Sequence, residues 1–81
     1  MTIVQDLIEH IARSLVDDPT QVNVSASERG NTVRFYLQVA KEDMGRVIGR
    51  SGRVANAMRT LLRVAAVRQD MRAELDVVDP H

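Results

Sequence analysis

Two glycines three residues apart, Gly49 and Gly52, lie in the run Val47-Ile48-Gly49-Arg50-Ser51-Gly52-Arg53-Val54, with arginines at positions 46, 50 and 53 around them. A glycine has no Cβ, so the backbone can turn tightly there and bring its N–H groups up to an anion. A glycine that also opens a helix places free amides and the positive end of the helix dipole beside that anion. Arg50 can add charge-assisted hydrogen bonds and Ser51 a hydroxyl. The chemistry for which this stretch is equipped is the holding of a phosphate. A plainer reading stands beside it, in which Gly49 caps one helix and Gly52 merely lets helices approach.

Other glycine chemistries do not fit. Gly45, Gly49 and Gly52 are spaced G-x-x-x-G-x-x-G, not the dinucleotide G-x-G-x-x-G, and no G-K-[ST] follows to make a nucleotide-hydrolysing loop. Gly45 reads instead as a site of close helix contact. For catalysis the residue types are missing. His10 lies on the polar side of a helix, His81 is terminal, and Ser51 has no base at a defined spacing. With no cysteine there is neither a disulfide framework nor a thiolate metal site. No catalytic residue, metal or cofactor is expected, and the chain does not read as an enzyme.

The formal charge is zero, from 11 basic and 11 acidic residues, but the charge is sorted along the chain. Residues 41–68 hold seven basic side chains against Glu42 and Asp43, a net +5, so the remainder carries −5. Residues 44–69 contain six arginines and no acid, the footprint of a polyanion-binding segment. Phe35 and Tyr36 are the only aromatic residues, so stacking platforms for bases are scarce. No run approaches the ~20 apolar residues that cross a bilayer, and Asp6, Glu9 and Arg13 interrupt any signal-peptide core. A soluble, cytoplasmic protein is expected.

Around the glycine turn the sequence lays out its supports. Val4, Leu7, Ile8, Ile11, Ala12, Leu15 and Val16 recur at helical spacing over residues 3–16, with Thr2 as N-cap and Asp17-Asp18-Pro19 as the stop. Residues 21–27 alternate, Glu28-Arg29-Gly30-Asn31 reads as a turn, and residues 32–40 alternate again, which makes a hairpin with its longer strand at the sheet centre. A short helix follows from Glu42 to Gly49, then the glycine turn, then a helix from Arg53 to about Arg68. Ala73, Leu75 and Val77 alternate with Arg72, Glu74 and Asp76 in a last strand, and Asp79-Pro80-His81 is a tail. Three strands with one covered face predict three helices on a single side, a two-layer α+β sandwich of order αββααβ with a three-stranded sheet.

The long helix has an apolar arc too wide for one contact. At about 100° per residue Val54, Met58, Leu61 and Ala65 share one face, while Ala55, Leu62 and Ala66 lie to one side. One part is expected on the sheet, and another, through Ala55, Met58, Arg59, Leu62 and Ala66, against a second subunit. Alanine also fills helix surfaces by propensity alone.

The run at residues 41–63, KEDMGRVIGRSGRVANAMRTLLR, together with the helix and hairpin before it, resembles the small bacterial single-KH proteins of the KhpA (YlqC) family. The resemblance covers nearly the whole chain. It implies a type II (prokaryotic) KH fold over residues 1–81, with a core at about 3–78 and a tail at 79–81. It further implies RNA binding through the loop, which in KH domains clamps about four nucleotides. The residues so implied are Arg46, Val47, Ile48, Gly49, Arg50, Ser51, Gly52 and Arg53, with Val54 and Ala57 extending an apolar groove floor and the hairpin or last strand forming the far wall. The implied partners are single-stranded RNA and a second KH subunit, either another copy or a larger KhpB-type protein. The implied role is post-transcriptional regulation or RNA chaperoning linked to cell division, cell shape and cell-wall synthesis. The alternatives are a protein-interaction module dimerising through its long helix, with RNA secondary, and, more distantly, single-stranded DNA binding.

Overall fold

Apolar periodicity over the first residues and a break at Asp17-Asp18-Pro19 produce helix α1, Thr2–Leu15, and a short 3₁₀ turn, Pro19–Gln21. Two strands follow, β1, Asn23–Arg29, and β2, Thr32–Gln38, joined by a two-residue loop. Gly30 takes the first loop position with φ +62°, as hairpin turns of the II′ kind require. The strand therefore runs two residues further into the expected turn, and Pro19, which suits a first helical position, delays its start. A second 3₁₀ turn, Lys41–Asp43, leads into helix α2, Met44–Val67, and strand β3, Arg72–Val78, closes the chain. The computed structural model describes residues 2–78, and for Thr2, Arg46, Gly49, Arg50, Ser51 and Arg53 the backbone only. The N-cap role of Thr2 and the tail at 79–81 fall outside the described residues.

The sheet order is β1-β2-β3, with β1 antiparallel and β3 parallel to β2. The second strand is central as expected, but it is not the longer one, since all three strands span seven residues. Val33, Phe35 and Leu37 of β2 and Leu75 of β3 point to the covered face, where they meet Ile8 and Ala12 of α1 and Val47, Met58 and Leu62 of α2 in one core. Arg34, Tyr36, Glu74 and Asp76 point to the other face. The two-layer α+β expectation holds.

One expectation is corrected. The two helices either side of the glycine turn run together as a single 24-residue α2. The sequence between them, Gly49-Arg50-Ser51, contains no proline to remove a backbone donor, so the helical run is not parted by a loop. Its interruption is confined to Gly52, whose φ of +71° is far from the roughly −60° of helical backbone.

Asp43 fixes the entry to α2. It is the one charged side chain buried among the described residues, and its two carboxylate oxygens accept hydrogen bonds from the backbone N–H groups of Asp17 and Asp18 at 3.0 and 3.1 Å. The linker after α1 is thereby tied to the start of α2. At the other end α2 closes in a Schellman motif: the Met71 N–H donates to the Ala66 carbonyl and the Asp70 N–H to that of Val67, with Asp70 at φ +54°.

Candidate nucleic-acid interface

Gly52 stands where the chain needs it for conformation, not for space. A Cβ there would meet nothing closer than Asn56 Nδ2 at 3.9 Å, but φ +71° is a region that residues with side chains rarely adopt. Gly45 is different: a Cβ at that position meets nothing within 4 Å, so the expected close helix contact is absent. Just before the glycine pair, Val47 is completely buried in the core whereas Ile48 is exposed. Of the two apolar residues expected to floor a groove, only Ile48 is open to a ligand. Val54 packs against the core half-buried, and Ala57 is exposed. The side chains of Arg46, Arg50, Ser51 and Arg53 lie outside the described residues.

Beyond Gly52, α2 runs along the edge strand β3, and a recess of about 280 Å³ lies between them, lined by Arg59, Arg63, Ala73, Glu74, Leu75 and Asp76. In this recess the wall opposite α2 is the last strand. Arg59 spans the recess. Its Nε and Nη2 donate to the Leu75 carbonyl at 3.3 and 3.2 Å, and its Nη1 donates to Asn56 Oδ1 at 3.1 Å. On the opposite side of β3, Arg34 pairs with Glu74 at 2.8 Å and Asp76 at 3.5 Å. The hydrogen bond that Arg34 donates to Glu74, then the charges of Glu74 and Asp76, raise the pKa of the Arg34 guanidinium above its usual range. Arg34 therefore offsets the two acids that would otherwise repel a polyanion from this recess.

The residues expected to face a second subunit are placed differently. Ala55, Met58, Leu62 and Ala66 are all at most 3 % exposed, turned onto the chain's own sheet, and Arg59 is engaged with Leu75 and Asn56. The sheet has taken the very face assigned to a partner. Besides Ile48, α2 leaves Leu61, Val64 and Val67 open, and α1 leaves Ile3, Leu7 and Leu15. Sequence reading missed Arg34 and Asn56. The spacing of Asn56 and Arg59, three apart on a helix, carried a signal for their contact, whereas the acceptor carbonyl of Leu75 carried none.

A three-stranded mixed sheet of order β1-β2-β3 backed by two helices, with a left-handed glycine inside the second helix and a recess between that helix and the edge strand, is the architecture of a KH-type nucleic-acid-binding module. Residues 5–77 match the family model described as KhpA/KhpB, KH domain. The chain is 45% identical over 73 residues to the RNA-binding protein KhpA of Halalkalibacterium halodurans, an alignment covering 90% of this chain and 96% of that one. It is 43% identical to the RNA-binding protein KhpA of Clostridium acetobutylicum over 74 residues, 91% of this chain and 99% of the other. It is likewise 43% identical to that of Treponema pallidum over 79 residues, 98% and 99% of the two chains. The chain belongs to the KhpA/KhpB KH-domain family, which is not a family of enzymes. No helix among the described residues is long and apolar enough to cross a membrane.

Proposed function

We propose that this chain binds short single-stranded RNA, with Gly49, Arg50, Ser51 and Gly52 clamping phosphates and the α2–β3 recess holding the adjoining bases. The observation that carries this reading is the left-handed Gly52 inside an arginine-rich, acid-free stretch that borders the recess. The names of the relatives, each an RNA-binding protein, support it. Arg46 and Arg53 add charge beside the clamp, and Ile48 supplies apolar surface next to it. Affinity then depends steeply on salt, because phosphate neutralisation releases counterions. In the cell this describes a cytoplasmic post-transcriptional regulator or RNA chaperone, with the link to cell division and cell-wall synthesis that the family resemblance implies.

The test compares binding of a fluorescent single-stranded RNA pool to the wild type and to an Arg50→Asp, Ser51→Asp double variant, with circular dichroism to check that both fold. Loss of binding with the fold retained supports the clamp. Equal binding removes it.

A second reading has an observation of its own. Leu61, Val64 and Val67 on α2 are about half exposed or more, at 48 %, 56 % and 72 %. Such a stripe suits association with a second KH subunit, either another copy or a larger KhpB-type protein, and pairing two weak grooves raises avidity for RNA.

A further inference from the structure

The outer face of the sheet has no role in the clamp or in a helix-mediated pairing. Strand register sets its side chains in rows: Ser25–Tyr36–Asp76, then Ser27–Arg34–Glu74, then Arg29–Thr32–Arg72 at the hairpin end. No described helix covers it, and a concavity of about 470 Å³ lies on it.

Three properties of this face bear on what it takes. Tyr36 lines the concavity on the central strand, and since Phe35, the other of the two Phe, Tyr or Trp residues, is fully buried, Tyr36 is the one such ring with an open face. Arg34 is held by Glu74 and Asp76, but among the described residues no carboxylate pairs with Arg29 or Arg72, which stand either side of Thr32 two strand spacings apart, roughly 10 Å. Apart from Tyr36 the lining is hydroxyl and charged groups, too little apolar surface for the core of a protein interface and the composition of a nucleic-acid one. The face is also continuous with the candidate groove, because Glu74 lines both and only the edge strand β3 separates them.

We propose that the outer sheet face is a second contact for single-stranded RNA, taking the nucleotides that flank those in the groove as the strand passes over β3. Tyr36 gives one base a stacking surface, and Arg29 and Arg72 meet phosphates. Stacking of this kind tolerates any base, so the second contact lengthens the footprint without adding sequence preference. The inference rests on the proposed RNA clamp and extends it.

The test measures binding of single-stranded RNAs of roughly four and twelve nucleotides, the shorter matching the reach of a KH groove, to the wild type, Tyr36→Ala, Tyr36→Phe and an Arg29→Ala, Arg72→Ala double variant. Circular dichroism monitors folding. The expected result is equal affinity of all four proteins for the short RNA. For the long RNA, Tyr36→Ala loses roughly tenfold, Tyr36→Phe keeps wild-type affinity, and the arginine variant shows a shallower salt dependence, by about 1.4 in the logarithmic slope. A wild type that binds the short RNA while the Tyr36→Ala and arginine variants retain the full gain with length overturns the second contact and leaves the clamp standing. Failure of the wild type to bind either RNA overturns both. A Tyr36→Ala variant that changes sedimentation and not RNA affinity makes the face a protein contact and overturns the proposal as well.

Discussion

The guanidinium of Arg59 grips the carbonyl of Leu75, with Nε at 3.3 Å and Nη2 at 3.2 Å. Leu75 lies on β3, an edge strand, and an outward carbonyl on such a strand is an open invitation to another chain. Gln5 does the same for the other edge, its Nε2 donating to the Val24 carbonyl of β1 at 3.0 Å. Both helices thus reach down to close the sheet edge nearest them. Hydrogen bonds from a charged donor contribute about 1.5–3 kcal/mol, with the lower end expected at this half-exposed site. Arg59→Ala is therefore predicted to lower stability by about 1–2 kcal/mol in urea denaturation, and to weaken RNA binding by loosening the wall of the recess. An unchanged midpoint would show that the contact does not hold the strand.

Asp43 makes a second such link, and its test is isosteric. Both carboxylate oxygens accept backbone N–H groups, from Asp17 and Asp18. An asparagine keeps the shape but offers one acceptor, and turns an NH₂ group toward a donor. With the side chain buried, Asp43→Asn is predicted to cost about 1–3 kcal/mol, read as a fall in the denaturation midpoint with the far-ultraviolet spectrum unchanged. A variant as stable as the wild type would mean that the linker finds its hydrogen bonds elsewhere.

Asp70 invites the opposite change. It holds φ +54° at the position of the Schellman motif that glycine usually fills. Replacement by glycine removes the Cβ strain, worth roughly 1–2 kcal/mol, and returns part of it as chain entropy. Asp70→Gly is predicted to raise the melting temperature by roughly 3–6 °C, from a net gain near 0.5–1 kcal/mol in a domain of this size. A lower melting temperature would show that the aspartate contributes more at this helix end than its backbone strain costs.

The strands were legible because alternation is a local property: Val33, Phe35 and Leu37 against Arg34, Tyr36 and Gln38 gave both the strand and its buried face. The left-handed backbone at Gly52 was legible as a turn because glycines three apart among arginines stand out in sequence. The partner-facing side of α2 was not. Apolar residues occupy several sides of that helix, and spacing tells which residues share a side without telling which side the sheet will take. The sheet took Ala55, Met58, Leu62 and Ala66. Likewise the acceptor for Arg59 is a main-chain carbonyl, which no residue type announces.

Gly45 and Gly52 are equivalent in sequence but not in structure, and alanine separates them. Gly45 lies in the first turn of α2 with open space around it, so Gly45→Ala is predicted to be neutral or stabilising by up to about 1 kcal/mol. At Gly52 the same substitution meets φ +71° and is predicted to cost roughly 1–2 kcal/mol. If the clamp depends on that conformation, RNA affinity falls in Gly52→Ala alone. Equal effects of the two substitutions on stability would mean that the left-handed conformation at Gly52 is not held in solution.

Leu61 and Leu62 adjoin in sequence and diverge in exposure, 48 % against 1 %. Leu62 belongs to the core, so Leu62→Asp buries a charge and leaves a cavity, and even truncation of a buried leucine to alanine costs about 2–5 kcal/mol. The prediction for Leu62→Asp is loss of the folded state by circular dichroism. Leu61→Asp is predicted to fold with wild-type stability within about 0.5 kcal/mol, as surface substitutions do. If the exposed stripe of α2 joins two subunits, Leu61→Asp sediments as a monomer where the wild type does not, and RNA affinity drops by the lost avidity alone. Should the wild type itself sediment as a monomer, the stripe is not a self-association surface, and the first variant to examine for a heterologous KH partner is again Leu61→Asp, since it changes the surface and spares the fold.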